Sequence, residues 1–165
     1  MDIIAELKKE FDRETDITKK FIALVPYDKL TWKPHPKSMD FSALAGHIAE
    51  LPGWMDFAIN SNEVNFATMD YAPPVINAQG DLDNLLTANI GKGKNALAKA
   101  DVNSMDDQWQ LKNGDVVLMD LTRYEMIRHA FDQIIHHRAQ LGVYLRLNDI
   151  PLPGSYGPSA DSESH

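Results

Sequence analysis

Three of the six histidines lie close together near the C-terminal end, in the stretch RHAFDQIIHHRAQLGVYLRLND (residues 128–149). Apolar residues recur here at helical spacing, which predicts one long helix. Gln133 and His137 are four residues apart on it, so their Cβ atoms should lie about 5–6 Å apart on one face. Side chains at this spacing can share a metal ion. His129 and His137, separated by about 12 Å along the axis, cannot.

A further histidine, His47, lies between Leu44 and Leu51 on the apolar face of a second predicted helix, with Glu50 one turn later. A buried histidine on one helix that faces a pair on another is a way to build a metal site in a bundle core. The alternative is a packed, hydrogen-bonded core histidine, which is the commoner case for a single residue of this kind. Both interpretations of His47 stay open at this point.

The remaining side chains that could do chemistry divide into two groups. Arg138 projects into the apolar stripe of the last helix, where an unpaired charge is costly, so it needs an acidic partner or an anionic ligand. The others are expected to serve packing, the surface or an interface. They are Trp32, Trp54, Trp109, His129 and His136.

Four helical segments must position these residues. Asp40 is expected to cap the second helix. Pro52 should kink it, because proline lacks the N–H that would bond to Ile48. The last helix, capped by Asp120 or Thr122, is expected to be the longest.

Residues 109–118 break the helical period, and Asn113-Gly114 between two apolar runs predicts a short β-hairpin. Four long helices with one long crossover are typical of a bundle. The expected fold is therefore all-α, an antiparallel four-helix bundle with a short hairpin before the last helix. The bundle is expected to span residues 1–150, followed by a C-terminal extension over 151–165.

The overall charge and composition exclude several kinds of function. The chain has 165 residues, a net charge of −8 and an isoelectric point near 5.1. This disfavours nucleic acids and anionic membranes as partners, because both require a basic face. The absence of cysteine removes disulfides, thiolate zinc sites and a cysteine nucleophile. A cytoplasmic protein is expected, and any thiol in its chemistry must come from a substrate or cosubstrate.

Two stretches resemble a known family. HHRAQLGVYLRLNDIPLPGSYGPSAD is similar to the C-terminal signature of the DinB-like superfamily, and WKPHPKSMDFSALAGHIAELPGW is similar to its second-helix segment. The resemblance extends from residue 1 to about residue 160. It implies a four-helix bundle, usually a homodimer, and a nickel or zinc ion held by three histidines. Characterised relatives transfer bacillithiol or mycothiol, or isomerise maleylpyruvate with a thiol cofactor.

Carried onto this sequence, the resemblance implies metal ligands at position 47 and at an H-x3-H pair, of which His137 is the second member. The first member falls on Gln133, and amide oxygen is a weak ligand for zinc or nickel. Three outcomes stay open: weaker binding by His47, Gln133 and His137, a shifted site that uses Glu50 or His129, or loss of the metal.

The sequence thus leaves open whether the protein is an enzyme. The leading hypothesis is a metal-dependent transferase or hydrolase that uses a low-molecular-weight thiol of the bacillithiol type against an electrophilic small molecule. In it Arg138 would orient the site through a carboxylate, or would bind an anionic substrate group. The alternative is a non-catalytic dimeric scaffold, for binding or stress response, that has lost its metal.

Overall fold

The computed structural model describes residues 1–162, and His165 lies outside them. Within that range five helices and three strands follow one another along the chain. The helices are α1 (Ile3–Ile22), α2 (Phe41–Glu50), α3 (Trp54–Asn60), α4 (Gln79–Lys99) and α5 (Arg123–Leu147). The strands are β1 (Glu63–Asn65), β2 (Gln108–Asn113) and β3 (Val116–Thr122). The helices enclose one core whose largest fully buried side chains include Phe11, Phe41, Ile48, Trp109 and Phe131.

Polar side chains at the helix starts fix where α2 and α5 begin. The Asp40 carboxylate accepts a hydrogen bond from the Ala43 N–H, as the sequence predicted. Thr122 and Glu125 form a reciprocal capping box at the start of α5. With 25 residues α5 is the longest described helix, which confirms that prediction.

Pro52 divides the second predicted helix into two. Residues Leu51–Gly53 form a single 3₁₀ turn between α2 and α3. This is the expected effect of a proline, which removes one main-chain donor and crowds the preceding turn. After this break α3 begins as a separate helix. Its residues Trp54 and Phe57 line a cavity that residues of α2 also line.

The prediction of an all-α bundle is wrong, because a three-stranded mixed sheet packs beside the helices. The hairpin of β2 and β3 turns through Gly114 and Asp115, one residue later than the predicted Asn113-Gly114, and Gly114 has a φ of +61°. The unexpected strand is β1, which pairs in parallel with β2, with Val64 opposite Leu111. Three residues are too few to show an alternating pattern, and their pairing depends on contacts distant in sequence. The Asn65 side chain, for example, accepts a hydrogen bond from the Gly114 N–H.

The segment after α5 folds back on the helices. Asp161 pairs with Arg146 and accepts a hydrogen bond from the Leu152 N–H. The Tyr156 hydroxyl lies 2.6 Å from both Arg138 Nη2 and Glu14 Oε2. As far as residue 162, the predicted C-terminal extension is therefore attached to the bundle by specific polar contacts.

Candidate functional site

Helices α2 and α5 bring His47 and His137 together. Their ring centroids are 4.6 Å apart and the ring planes are almost perpendicular, at 84°. His47 reaches this position because Leu44 and Leu51, which flank it, are completely buried and fix the inner face of α2. Both imidazoles are half-buried. Whether they bind a metal stays a prediction.

The hydrogen bonds of His137 indicate which of its nitrogens carries the proton. Its Nδ1 lies 2.9 Å from Gln140 Oε1, and the Gln140 amide nitrogen lies 2.9 Å from His136 Nε2. An amide that donates to His136 presents its oxygen to His137, so Nδ1–H is the donor in that contact. A neutral ring carries one N–H, which leaves a lone pair on Nε2.

The lone pair on His137 Nε2 faces another hydrogen-bond acceptor, the side-chain oxygen of Gln133. Gln133 Oε1 lies 3.1 Å from His137 Nε2. Two acceptors at this distance need a proton or a cation between them, or the Gln133 amide must turn so that its NH2 group faces the ring. Gln133 and His137 therefore meet as their spacing predicted.

Both imidazoles favour the neutral form. Burial, reinforced by the neighbouring His137, lowers the pKa of His47 to about 4. Burial also lowers the pKa of His137; the hydrogen bond to Gln140 opposes this effect and the neighbouring His136 adds to it. Neutral imidazole is the form that coordinates metals.

A cavity of about 430 Å³ adjoins His47. Its walls come from α2, α3, α4, α5, the sheet and the chain that follows β1, and most of them are apolar or aromatic. His137 and Gln133 are not among the lining residues, so His47 connects the histidine pair to the cavity. The lining consists of His47, Glu50, Gly53, Trp54, Asp56, Phe57, Val64, Phe66, Met69, Tyr71, Asn89, Lys92, Trp109, Leu111, Met119, Met126 and His129.

Two polar residues of the cavity, His129 and Glu50, are those named from the sequence as alternative ligands of a shifted metal site. His129, predicted at the surface or an interface, lines the cavity and stacks on Trp54, with centroids 6.3 Å apart and planes 19° apart. Glu50 accepts a hydrogen bond of 3.0 Å from the Tyr71 hydroxyl. Burial raises the pKa of Glu50, while this hydrogen bond acts in the opposite direction. The periodicity of α5 alone could not place His129 here, because the Pro52 break determines where Trp54 lies.

Arg138 is buried away from the cavity. Its guanidinium pairs with Glu14 at 2.7 Å, and it donates to the Glu14 carbonyl, the Thr18 hydroxyl and the Tyr156 hydroxyl. Glu14 is the acidic partner that the sequence required for this charge. The structure does not bring Arg138 to the histidine pair, and its catalytic role stays a prediction.

No group of three or more histidine, cysteine, aspartate or glutamate side chains in residues 1–162 is arranged to hold a metal ion. The donors that do meet are two imidazoles and one amide oxygen, from His47, His137 and Gln133. His136 is exposed on the outer side of α5, as predicted.

None of the helices in residues 1–162 is both long and apolar enough to cross a bilayer.

The chain belongs to the DinB family, whose family model matches residues 2–162. This confirms the resemblance seen in the sequence.

Solved structures show the same fold. A DinB-like protein from Bacillus subtilis is 18% identical, with a TM-score of 0.69 over 91% of this chain and 96% of the other. One from Bacillus cereus is 16% identical, with a TM-score of 0.71 over 91% and 95%. A mycothiol-dependent maleylpyruvate isomerase is 16% identical, with a TM-score of 0.62 over 90% of this chain and 64% of the other. No protein of curated function matches the sequence.

Proposed function

We propose that this protein is a metal-dependent transferase that joins a low-molecular-weight thiol of the bacillithiol type to an electrophilic small molecule. The observation that carries the proposal is the meeting of His47 and His137 at the edge of the cavity, with a ring nitrogen facing Gln133 Oε1. The similarity in fold to a mycothiol-dependent enzyme supports the choice of a thiol as cosubstrate.

The donors present fit a divalent ion. Two neutral imidazoles offer nitrogen lone pairs, and His47, His137 and Gln133 would together hold the cation, which would compensate the approach of two acceptors, His137 Nε2 and Gln133 Oε1. Gln140 would hold the His137 ring through Nδ1, as outer-shell partners of metal-bound histidines do. Nickel or zinc suits imidazole, and the amide makes the site weaker than one with three histidines. When bound, such an ion supplies Lewis acidity that lowers the pKa of a thiol.

The residues of the chain then have separate tasks in the proposed reaction. A bond would form between the thiol sulfur and the electrophilic carbon while the leaving group, chloride in the case of 1-chloro-2,4-dinitrobenzene, departs with its bonding electrons and the thiol gives up its proton. The aromatic and apolar walls would bind the electrophile beside His47 and exclude water from it. Glu50, within the lining, can accept a proton or hydrogen bond from the bound reactants. Arg138, held by Glu14, fixes α5 against α1 and so positions the histidine-bearing helix.

A second candidate function is a dimeric scaffold without metal. The observation that favours it is the amide at position 133. If the Gln133 side-chain amide turns by half a rotation, its NH2 group faces His137 Nε2, and the ring is fully hydrogen-bonded without an ion. The cavity would then serve for binding alone.

Elemental analysis of untagged protein separates the two candidates. We expect nickel or zinc near one ion per chain, lost in His47→Ala and in His137→Ala but kept in the control His35→Gln, which changes an exposed histidine. Consumption of bacillithiol with 1-chloro-2,4-dinitrobenzene should follow the metal content. A well-folded protein that contains no metal and consumes no thiol after incubation with either ion would support the scaffold.

A further inference from the structure

We propose that the cavity beside His47 selects flat, uncharged aromatic molecules and rejects carboxylates. The inference deepens the proposed function, on which it rests for the statement that the bound molecule is the electrophile. The selectivity itself follows from the lining, and binding alone can test it.

The shape and chemistry of the walls favour aromatic rings. Eight lining residues are tryptophan, phenylalanine, tyrosine or methionine, whose side chains pack well against a planar π system; they include Trp54, Phe57, Trp109, Met69, Met119 and Met126. A volume of about 430 Å³ is in the range of cavities that bind small organic ligands. The cavity is therefore suited to a ligand of one or two fused rings.

The charges of the lining disfavour an anion. Glu50 and Asp56 are both half-buried, whereas Lys92, the single lysine or arginine of the lining within residues 1–162, is exposed to solvent. A screened charge at the surface compensates poorly for acidic groups deeper in the wall. The net charge of −8 adds a long-range repulsion of anions.

Arg138, the buried arginine that could have made the cavity favourable for anions, does not line it. Arg138 is 2% exposed, and its guanidinium is occupied by Glu14, Thr18 and Tyr156. It lines no part of the cavity. A carboxylate that entered would thus lose its hydration without gaining a buried cation, which is unfavourable.

One polar contact can orient an uncharged ligand. The Tyr71 hydroxyl donates to Glu50 Oε2, and Oε1 accepts no hydrogen bond from the described side chains. Oε1 is therefore free to accept one from an N–H or O–H group of the ligand. This favours aromatic amides and phenols over aromatic acids of the same shape.

The test compares two probes of equal shape, 2-naphthamide and 2-naphthoate, by isothermal titration at pH 7.5. Both are titrated into full-length untagged protein, once as purified and once after treatment with a chelator, because a carboxylate can also bind a metal. We expect naphthamide to bind at least about tenfold more tightly than naphthoate in both forms.

Two cavity variants, Glu50→Gln and, separately, Asp56→Asn, should reduce this ratio of affinities by improving the binding of naphthoate. Asp28→Asn, which neutralises an exposed acid outside the lining, should leave it unchanged.

Each outcome decides the matter. Equal or tighter binding of naphthoate in either form overturns the inference, as does failure of both probes to bind. A ratio unchanged by both cavity variants also overturns it, because the acidic lining would then not be the cause. If naphthamide is preferred as expected but no thiol is consumed in any condition, the proposed transferase fails while the selectivity of the cavity stands.

Discussion

Gln133 is the residue at which the proposed metal site can be tested most directly. Gln133→His keeps the four-residue spacing to His137 and replaces an amide oxygen with a nitrogen donor suited to nickel or zinc. We expect metal affinity to rise by at least about tenfold, or ~1.4 kcal/mol. Isothermal titration with either ion measures this directly, and thermal stability should also rise with metal because the ion binds the folded state.

Two variants control for this experiment. His137→Ala in the Gln133→His background should abolish the gain, since one partner is removed. Lys20→His adds an imidazole at an exposed position of α1 and should change nothing. An unchanged affinity in Gln133→His would show that position 133 does not face the metal.

The environment of a second residue, His47, predicts how the stability of the protein depends on pH. Its folded-state pKa of about 4 lies below the ordinary value of 6.5. Between these values the unfolded state binds more protons, so the free energy of unfolding falls as the pH is lowered from 6.5 to 4, and this loss is absent above 6.5. His47→Gln should therefore show a smaller fall in its urea midpoint between pH 6.5 and 4.5 than the parent.

The matched control for that series is His35→Gln, which alters an exposed histidine and should keep the parental slope. If His47→Gln and the parent lose stability equally over this interval, His47 is not held neutral by its surroundings. The pKa of Glu14 is lowered from its ordinary value of 4.5, so protonation of Glu14 reduces the free energy of unfolding at more acidic pH than protonation of His47 does.

Among the elements, α4 depends on one glycine and not on its near neighbour. A Cβ at Gly93 would come within 2.5 Å of Phe11 Cζ and of the Pro52 carbonyl, whereas a Cβ at Gly91 would meet nothing within 4 Å. Gly93→Ala should therefore cost on the order of 1–3 kcal/mol through overpacking. Gly91→Ala should gain about 0.5–1 kcal/mol from helix propensity. Urea denaturation of both variants checks this, and equal effects would contradict the close packing of α4 on the turn at Pro52.

The attachment of α5 to α1 depends on a buried ion pair. Arg138→Leu removes the buried cation beside Glu14 and leaves the carboxylate with Tyr156 and the more exposed Arg13, which should cost up to about 3–5 kcal/mol of the free energy of unfolding. Tyr156→Phe removes hydrogen bonds to both groups and should cost about 1 kcal/mol. The control is Arg146→Leu, whose partner Asp161 is exposed, and this substitution should cost much less than Arg138→Leu. If Arg138→Leu were as mild as this control, the pair would not hold α5 in place.

For the molecule as a whole, we predict a homodimer, on the basis of the family resemblance. The apolar segment IPLPGSY had also suggested an interface, but in the structure Leu152 is half-buried and Tyr156 contacts Arg138 of its own chain. Light scattering at high micromolar concentration should give twice the monomer mass. A monomer under those conditions would refute the prediction.

How far the sequence could predict the molecule depends on how local each signal is. The caps at Asp40 and Thr122, the break at Pro52 and the turn at Gly114 act within a few residues, and all four are in the structure. Strand β1 depends on a parallel partner about 47 positions later, so no local pattern marks it.

The site follows the same rule. The spacing of Gln133 and His137 on one helix could be predicted, and so could the need of Arg138 for an acid. The sequence could not predict that Glu14 is the acid paired with Arg138, or that His129 lines the cavity. Both depend on how separate helices dock.

The burial of Glu14 has a consequence for the order of events during synthesis. Its partners Arg138 and Tyr156 follow it by 124 and 142 residues. A ribosome adds roughly 5–20 residues per second, so about 7–28 seconds separate the carboxylate from its last partner. Throughout that interval Arg13, the exposed neighbour of Glu14, can still pair with the carboxylate, but docking α1 would bury Glu14 without Arg138 and Tyr156, which is unfavourable. The nascent chain should therefore keep the apolar face of α1 available to chaperones until α5 and Tyr156 have left the ribosome.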